Sequence, residues 1–354
     1  MKITFCVSGI SRTPIGGEKV IYELANRLAL EGNEVTISAM SSESLKKTKL
    51  PLSVRILICK ILIFFKILPS WFNFNKKVNI DIIPSYSSKY FRSADFIVAT
   101  AVSTAFPVYR LPKNKGQKIY LIQDYENWNK DNNYVNKTFS LGMKNITISH
   151  WLQEIVQQYD KNKTFFLPNA IDTHVFYPIT PLNKRNRHTI GLLYHKGEHK
   201  GLRYAFNALE LVHQKYPDIV VEMFGAPERP NVPKWYRYHR NLNQNEVNEL
   251  YNKCSIFLCA SVEEGFGLTG AESLAAGCAL VSTKYKGVYE YARDKYNALL
   301  VPIKDSNKLA ESIIYLFKND DERIKLATNG ITSMKERSWS KTLKIFECIL
   351  DEKI

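Results

Sequence analysis

The sequence predicts an α/β fold made of two doubly wound, Rossmann-like domains. Short apolar runs typical of buried strands alternate with helical patterns from one end of the 354-residue chain to the other. This alternation is typical of parallel sheets with crossover helices. It is interrupted at 167–178, a stretch that contains two prolines and has no apolar periodicity. We therefore expect one domain at 1–172 and a second at 173–338, with a ligand cleft between them.

The first predicted domain starts with an apolar strand at 3–7. Gly16 and Gly17 break the loop that follows it. The apolar spacing of 18–30 then predicts a helix, which Gly32 ends. Further strands are predicted at 34–39, 95–100, 118–122 and 145–149.

The second predicted domain repeats this pattern. Strands are predicted at 189–193, 219–224, 256–260 and 279–282, and helices at 201–216, at 246–253 and after Gly270. Strands and helices alternate here as in the first half, which favours a second parallel sheet.

Segment 261–273 carries the most specific chemistry. The predicted strand 256–260 is followed by two carboxylates, a loop with glycines at 265, 267 and 270, and a helix. Glycines let the backbone approach a ligand, and a helix start offers unpaired N–H groups and the positive end of the helix dipole. This pattern is typical of a phosphate-binding loop. Glu264 and Glu272 lie on either side of it, and carboxylates accept hydrogen bonds from hydroxyl groups. The predicted ligand is therefore a sugar nucleotide.

The net charge of +15 includes a markedly basic segment. Between Glu43 and Asp81 there are eight basic residues and no acidic one, and 54–68 is mostly apolar with three cations inside it. Such a stretch is too short to span a bilayer, which needs about 20 apolar residues. Two interpretations remain. Residues 45–77 contact an anionic membrane, or they contain a core helix whose lysine stems reach solvent.

The rest of the composition is that of a soluble globular protein, 45% hydrophobic and 23% charged. None of the six cysteines forms a C-x-x-C pair, as expected for free thiols in the cytosol. The first strand is too short for the core of a signal peptide. No zinc-finger spacing or RNA-binding motif supports a nucleic-acid partner. We expect a cytoplasmic protein, peripheral at the inner face of the cell membrane, with no nucleic-acid partner.

Several motifs, in this order, resemble the retaining glycosyltransferases of family 4, which have the GT-B fold. They are Gly16-Gly-Glu-Lys-Val20, Pro168-Asn-Ala-Ile-Asp172, Lys200-Gly201, Glu264-Gly-Phe-Gly-Leu-Thr-Gly-Ala-Glu272 and Trp339-Ser-Lys-Thr-Leu343. The resemblance covers nearly the whole chain. It implies two Rossmann-like domains facing a central cleft, an acceptor-binding first domain, a nucleotide-sugar-binding second domain, and a final segment 339–354 that packs back on the first.

The resemblance also implies a role for each matching residue. Glu264 is expected beside the donor sugar near the reacting carbon, and Lys200 is expected to neutralise the leaving diphosphate in place of a metal. Glu272 is expected to accept hydrogen bonds from the two ribose hydroxyls. The other donor-binding positions that it implies are Gly16, Gly17, Phe266, Gly267, Leu268 and Thr269.

Two positions depart from the family pattern. The family usually has an arginine a few residues before the lysine, where this chain has Tyr194-His195-Lys196. His195 and Lys196 are the alternatives for the missing charge. The family also commonly has a histidine after a strand of the first domain, where this chain reads Ile122-Gln-Asp-Tyr-Glu126. Asp124 or Gln123 would take its place, and Asp124 is counted with Glu264 and Lys200 as a catalytic candidate.

Four local patterns allow other interpretations. Thr269-x-x-Glu272 is also a capping box, in which Glu272 would simply close a helix start. Gly265-x-Gly-x-x-Gly270 fits a dinucleotide fingerprint, but it follows a late strand, and the next strand ends in Lys284-Tyr-Lys286. The H-x-x-E-H pattern at 195–199 indicates a metalloprotease only on a helix. Asp124-Tyr-Glu126 resembles a metal-binding carboxylate pair.

These expectations describe a retaining glycosyltransferase that transfers a hexosyl or deoxyhexosyl group from a UDP-, GDP- or dTDP-sugar without a metal or other cofactor. The expected acceptor is a lipid-linked glycan in the assembly of a bacterial surface polysaccharide, because the basic apolar segment would bring the protein to a membrane. Two alternatives stay open. One is a non-catalytic relative that binds a nucleotide or a partner, and the other is an NAD(P)-dependent oxidoreductase.

Overall fold

The computed structural model describes residues 1–41, 50–65, 67–128 and 131–352. The chain divides into two compact units, Met1–Pro168 with Thr342–Ile354, and Asn169–Lys341. Within the described ranges each unit contains one parallel β-sheet, with seven strands in the first and six in the second. The prediction of two Rossmann-like α/β domains is confirmed.

The sheet of the first unit has the order β3-β2-β1-β4-β5-β6-β7, and every neighbouring pair is parallel. The order reverses between β1 and β4, and open α/β sheets bind ligands beyond the carboxyl ends of the strands at such a point. The strands are β1 Lys2–Val7, β2 Glu34–Met40, β3 Val78–Ile83, β4 Phe96–Ala99, β5 Gln117–Ile122, β6 Lys144–Thr147 and β7 Phe165–Phe166.

Helices cover this sheet. The apolar positions whose spacing predicts helix α1, among them Val20, Ile21 and Leu24, are the positions that it buries. The helices assigned to the first unit are α1 Gly16–Leu30, α2 Leu52–Phe64, α3 Val102–Tyr109, α4 Asn132–Phe139, α5 His150–Gln157 and the last helix, α11 Trp339–Asp351.

Helix α2 behaves differently from α1. Cys59 is the one fully buried residue among its thirteen described positions. The core-helix interpretation is therefore wrong for Leu52–Phe64, whereas Leu68, which follows the helix, is buried. Residues 42–49 and Lys66, which belong to the predicted membrane segment 45–77 or adjoin it, lie outside the described residues.

The last helix returns to the first unit, as expected. Phe346 stacks on Phe5 of β1 with ring centroids 6.3 Å apart, and the Thr342 hydroxyl donates to the Pro168 carbonyl at 2.8 Å. The buried Lys144 of β6 donates from its ammonium to carbonyl groups at the end of α11. These contacts anchor both ends of α11 to the first unit.

The sheet of the second unit has the order β10-β9-β8-β11-β12-β13, again with parallel neighbours. Its strands are β8 Thr189–Leu193, β9 Val220–Gly225, β10 Tyr236–Arg240, β11 Ile256–Cys259, β12 Ala279–Thr283 and β13 Ala298–Val301. Its helices are α6 Leu202–Lys215, α7 Gln244–Lys253, α8 Leu268–Ala275, α9 Ser306–Lys318 and α10 Asp320–Lys335.

A buried arginine fixes the ends of two helices in this unit. The Arg185 guanidinium donates to the Tyr251 and Cys254 carbonyls at the end of α7, and to the Ala276 carbonyl at the end of α8 at 2.7 Å. Carbonyls at a helix end have no partner within the helix. Arg185 therefore holds α8, which carries the predicted phosphate-binding start, in a defined place.

Candidate functional site

The predicted donor-binding residues of the second unit meet at the carboxyl edge of its sheet. β8 and β11 are neighbours, and the strand order reverses between them. The loop after β8 leads to Lys200, and the loop after β11 leads to Glu264. Open α/β sheets bind ligands at such a switch point. The fold therefore brings together two charged residues that are far apart in the sequence.

Lys200 and Glu264 form an ion pair. The Lys200 Nζ lies 2.9 Å from the Glu264 Oε2, and the two side chains are 21% and 10% exposed. Gly201 follows the lysine with a φ of 61°, and a Cβ there would lie 2.0 Å from the Ala260 carbonyl oxygen. A glycine is thus required for the Lys200 loop to lie against the end of β11.

The Glu264 carboxylate is also held from its other side. The Ser261 hydroxyl donates to its Oε1, and the Thr283 hydroxyl donates to the Ser261 carbonyl. Burial acts to raise the pKa of Glu264, but the Lys200 ammonium and the Ser261 hydroxyl outweigh it and hold the pKa below its usual value. Glu264 is therefore a fixed carboxylate in neutral solution.

Helix α8 begins at Leu268, shortly after Glu264 in the chain. Its N-cap, Gly267, has a φ of 96°, and the Gly270 and Ala271 N–H groups donate to the Gly267 carbonyl. The N–H groups of Leu268 and Thr269 precede the first helical hydrogen bond, so their direction suits an anion beyond the helix start. The sequence places this helix after Gly270, whereas it begins at Leu268. Thr269 is consequently inside the first turn.

The residues around the start of α8 leave Gly267 little room. A Cβ at Gly267 would lie 2.0 Å from the Tyr285 hydroxyl, which itself is hydrogen-bonded to the Tyr291 hydroxyl. Phe266 is buried beside Tyr291 and lies 5.4 Å from the Arg337 guanidinium. This packing fixes the backbone that the sequence predicts to hold sugar hydroxyls and phosphate.

Glu272 is a buried carboxylate in α8. It is 6% exposed, and the Tyr251 hydroxyl donates to its Oε2 at 3.4 Å. The capping-box interpretation is wrong, because the N-cap of α8 is Gly267 rather than Thr269 and makes no side-chain capping bond. Glu272 instead lies one helical turn beyond Leu268. Its oxygens suit hydroxyl donors of a ligand bound at the helix start.

Two histidines lie on the Lys200 loop. The rings of His195 and His199 are 5.7 Å apart, and the Gly197 N–H donates to the His195 Nδ1 at 2.9 Å. Partial burial, followed by the Lys200 ammonium, lowers the pKa of both imidazoles. Both rings are therefore neutral at neutral pH. Lys200 and Glu264 both act electrostatically on the His195 ring. His195 and Lys196 are both exposed on the loop.

The metalloprotease and dehydrogenase interpretations are wrong. Residues 195–197 are irregular and Glu198–Lys200 is a 3₁₀ turn, so the two imidazoles do not share a helical face. The described part of the chain contains no group of three or more His, Cys, Asp or Glu side chains placed to hold a metal ion. The glycine fingerprint follows β11, which is not the first strand of its unit, and Lys284 follows the next strand.

The predicted residues of the first unit also lie together. Gly16 and Gly17 begin α1, and a Cβ at Gly17 would lie 3.3 Å from the Gln123 Nε2. Asp124, the next residue, accepts a hydrogen bond from the Tyr125 N–H at 2.8 Å. Gly17 thus lies beside the residue that follows β5, at the carboxyl edge of the first sheet.

Two carboxyl groups at this edge were not predicted as site residues. Glu18 accepts hydrogen bonds from the Tyr22 hydroxyl at 2.8 Å and from the Ser11 N–H at 3.2 Å, and burial raises its pKa to about 7. Glu126 accepts from the Val102 N–H at the start of α3, and burial raises its pKa to about 7. The signal for Glu126 in the sequence is the pair with Asp124, which resembles a metal-binding carboxylate pair.

Two parallel Rossmann-like sheets with a last helix that returns to the first unit define the GT-B class of fold. The solved structure of Alr3699/HepE from Anabaena in complex with UDP and glucose has the same fold. It aligns with a TM-score of 0.75 and 14% identity, and the alignment covers 99% of each chain.

The family match lies in the second unit. Residues 182–333, which contain Lys200, Glu264 and Glu272, match the family described as "Glycosyl transferases group 1".

Curated relatives include an uncharacterized glycosyltransferase of Methanocaldococcus jannaschii, 33% identical over 30% of this chain. Another is the N,N'-diacetylbacillosaminyl-diphospho-undecaprenol alpha-1,3-N-acetylgalactosaminyltransferase of Campylobacter jejuni, 26% identical over 37% of this chain. The matched segments span 32% and 36% of these relatives' own lengths.

Proposed function

We propose that the protein is a glycosyltransferase that moves a sugar from a nucleoside diphosphate sugar to a hydroxyl acceptor. The observation that carries this proposal is the arrangement at the carboxyl edge of the second sheet. There an ammonium group, two carboxylates and a helix start are collected at one switch point. The cation and the N–H groups suit a diphosphate, and the carboxylates suit sugar hydroxyls. The family match of 182–333 supports the same activity.

Departure of the diphosphate is the step that this arrangement favours. Negative charge builds on the leaving oxygen as the bond to the anomeric carbon breaks. The Lys200 ammonium and the N–H groups of Leu268 and Thr269 would stabilise that charge. The protein itself thus supplies the positive charge, and we propose a reaction that needs no divalent metal.

The carboxylates would orient the donor. Glu264 is held by Lys200 and Ser261, so its oxygens are positioned for hydroxyls of the transferred sugar beside the anomeric carbon. Glu272 would accept hydrogen bonds from the ribose hydroxyls. We further propose, as the family 4 resemblance implies, that the configuration is retained. The acceptor oxygen then bonds the anomeric carbon on the face that the diphosphate leaves, and the leaving phosphate takes the acceptor proton.

The acceptor in this proposal is a lipid-linked glycan in the assembly of a bacterial surface polysaccharide. The name of the Campylobacter jejuni relative describes transfer to a sugar on diphospho-undecaprenol, which supports an acceptor of this class. The first unit would bind the acceptor. Gly16 and Gly17 would let its loop approach both the diphosphate and the acceptor, and Asp124 is the catalytic candidate at the edge of its sheet. The transferred group would be a hexosyl or deoxyhexosyl residue.

The test is a donor panel with site variants. Purified protein is incubated with UDP-, GDP- and dTDP-sugars, with and without lipid-linked acceptors, and release of the nucleoside diphosphate is measured. Lys200→Met and Glu264→Gln should each lower the rate by about 100-fold or more. Lys215→Met is the matched control, because Lys215 is an exposed lysine at the end of α6, and it should leave the rate unchanged.

Two results would contradict the proposal. The first is tight binding of a nucleoside diphosphate with no release or transfer for any donor and acceptor, which would identify a non-catalytic relative. The second is a rate that is equal in the control and in Lys200→Met. Treatment with EDTA should leave activity intact, and a loss that added Mg²⁺ or Mn²⁺ restores would contradict the metal-free reaction.

A further inference from the structure

Helix α2 presents an apolar face to solvent. Val54, Leu57, Ile61 and Phe64 follow one another at steps of three or four residues, so they lie along one side of the helix. All four are exposed, and the exposure reaches 59% for Leu57 and 80% for Phe64. In α1 the same spacing marks the buried side of the helix. The apolar stripe of α2 therefore faces away from the core of its own unit.

The opposite side of α2 is packed against the first unit. Cys59, on the opposite side of α2, is fully buried. After the helix the chain turns back, with the Ile67 and Leu68 N–H groups donating to the Leu62 carbonyl, and Leu68 enters the core. The turn leaves Phe65 and Ile67 exposed, at 65% and 56%, next to Phe64. Contiguous apolar patches of this kind mark interaction surfaces.

The charges near α2 indicate what covers it. Between Glu43 and Asp81 the chain has eight basic residues and no acidic one. Lys60 is exposed beside Leu57 and Ile61 on α2, and Lys76 and Lys77 are exposed farther along the chain. A second copy of the chain would place like charges against each other with no carboxylate from this segment to offset them, which disfavours self-association. An anionic lipid surface complements both the cations and the apolar side chains.

We propose that α2 and the adjoining residues 65 and 67 form a docking surface for an anionic lipid bilayer, with the helix lying along the interface. Aromatic and aliphatic side chains would enter the boundary between headgroups and acyl chains, and Lys60 would contact the headgroups. Within the described ranges every helix is too short or too polar to traverse a bilayer. The proposal concerns a surface of the first unit and does not depend on the reaction at Lys200 and Glu264.

Vesicle flotation of the full chain tests this surface. The protein is mixed with vesicles of phosphatidylcholine alone, or with vesicles in which phosphatidylglycerol replaces part of it. Wild-type protein should float with the anionic vesicles only, and less of it as salt is raised. Ile61→Glu/Phe64→Glu should lower the bound fraction by about tenfold or more. Lys60→Glu should lower binding to anionic vesicles while the apolar face stays intact.

The matched control is Leu211→Glu/Tyr315→Glu. It changes the net charge by the same amount at two exposed apolar positions on α6 and α9 of the second unit. It should float like the wild type. Thermal unfolding checks that each variant folds, and the salt and lipid dependence of the wild type tests the proposal without any variant.

Three outcomes would overturn the proposal. They are wild-type flotation that is equal on neutral and anionic vesicles, flotation unaffected by Ile61→Glu/Phe64→Glu, and a dimer in sedimentation velocity that those substitutions dissociate. Release of nucleoside diphosphate from the donor in the absence of vesicles is measured alongside. Failure of the proposed transfer and failure of membrane docking are thereby distinguished.

Discussion

The Lys200 ammonium lies 2.9 Å from the Glu264 carboxylate, and this contact joins the ends of two neighbouring strands of the second sheet. The two residues are 64 positions apart in the chain, and the topology of the sheet brings them together. Because both side chains are largely withdrawn from water, the charge of each depends on the other. A substitution at Lys200 therefore changes the chemistry of Glu264 as well.

Lys200→Met should change both the rate of transfer and its pH dependence. Without the ammonium, burial is the larger influence on Glu264 and its pKa rises. The rate should fall by about 100-fold or more, and the residual activity should be lost at a higher pH than in wild type as the pH is lowered. Lys200→Arg keeps the charge and should keep the wild-type position of the acidic limb. If Lys200→Met lost its activity at the same acidic pH as the wild type, the coupling between Lys200 and Glu264 would be contradicted.

His195 and His199 predict a proton-linked affinity for nucleoside diphosphates. Partial burial and then Lys200 lower the pKa of both rings, while Glu264 acts in the opposite direction. A bound diphosphate adds negative charge and should draw a proton onto one of the imidazoles. Calorimetric titration of UDP in two buffers with different ionisation enthalpies measures the number of protons that the complex takes up on binding. The measurement is repeated at several pH values between about 8 and about 6.

The control for this linkage is His195→Asn/His199→Asn. UDP gains a proton on its own terminal phosphate in the same range of pH, so the difference between the wild type and the variant is the informative quantity. Wild type should take up more protons than the variant and should gain affinity relative to it as the pH falls. Equal proton uptake by the two proteins would exclude a role for these imidazoles in diphosphate binding.

Glu18 should make the first unit less stable at alkaline pH. Burial raises its pKa from 4.5 to about 7, so the folded protein keeps a proton that the unfolded chain has already lost. The corresponding stability is fully present below pH 4.5, declines as the pH rises and is lost once the pH passes about 7. Glu18→Gln keeps an oxygen for the Tyr22 and Ser11 donors. It should raise the free energy of unfolding by about 1–2 kcal/mol near pH 8.

Chemical denaturation of wild type and Glu18→Gln at acid and alkaline pH measures this difference. At about pH 3 the two proteins should have nearly the same free energy of unfolding, because the carboxyl group is then largely protonated in both states. A gain that is the same at both pH values would show that the amide stabilises the fold for another reason.

The central strands of both sheets could be predicted from the sequence because they are buried on both faces and read as continuous apolar runs. Strands β3 and β10 could not be predicted in this way. Both are edge strands, and polar residues such as Asp81 and Arg237 interrupt their apolar character. The start of α8 was misplaced because Gly267 and Gly270 both read as loop residues, whereas Gly267 is the N-cap with a positive φ and Gly270 lies inside the helix.

The site residues that belong to a short sequence motif could be predicted. The properties that depend on three-dimensional packing could not. Glu264 and Glu272 belong to one continuous motif with Gly267 between them. The raised pKa of Glu18 and the hydrogen bond from the Val102 N–H to Glu126 depend on burial and on neighbouring loops, which no local pattern encodes.

Gly267→Ala should disrupt the start of α8 by steric overlap as well as by backbone strain. A Cβ at Gly267 would lie 2.0 Å from the Tyr285 hydroxyl, and the residue has a φ of 96°. Gly32→Ala isolates the backbone strain, because Gly32 has a φ of 91° with nothing within 4 Å of the added Cβ. Gly32→Ala should cost about 1 kcal/mol of stability, and Gly267→Ala clearly more.

Thermal unfolding and UDP titration distinguish the two effects. Gly267→Ala should also weaken UDP binding, whereas Gly32→Ala should not. Tyr285→Phe in the Gly267→Ala background removes the hydroxyl that overlaps the new Cβ and should recover part of both losses. Equal destabilisation in Gly32→Ala and Gly267→Ala would show that Tyr285 makes room at no cost.

Lys144 should determine whether the end of α11 stays bound to the first unit. Its buried ammonium donates to the Ile349 carbonyl at 2.6 Å, to the Leu350 carbonyl at 3.4 Å and also to the Glu352 carbonyl. These are carbonyls of a helix end, which find no partner within the helix. Lys144→Met keeps an apolar stem but removes the donor, and should lower the free energy of unfolding by about 1–3 kcal/mol.

Lys163→Met is the matched control, because Lys163 reaches the same helix end through an exposed ion pair with Glu352, at 2.9 Å. Exposed pairs contribute about 0–1 kcal/mol, so the control should change stability little. In Lys144→Met the amides of the last turn of α11 should exchange with solvent faster, while those of α8, which belongs to the other unit, keep their protection. If both lysine variants gave the same small effect, the buried ammonium would not be what holds α11 to the sheet.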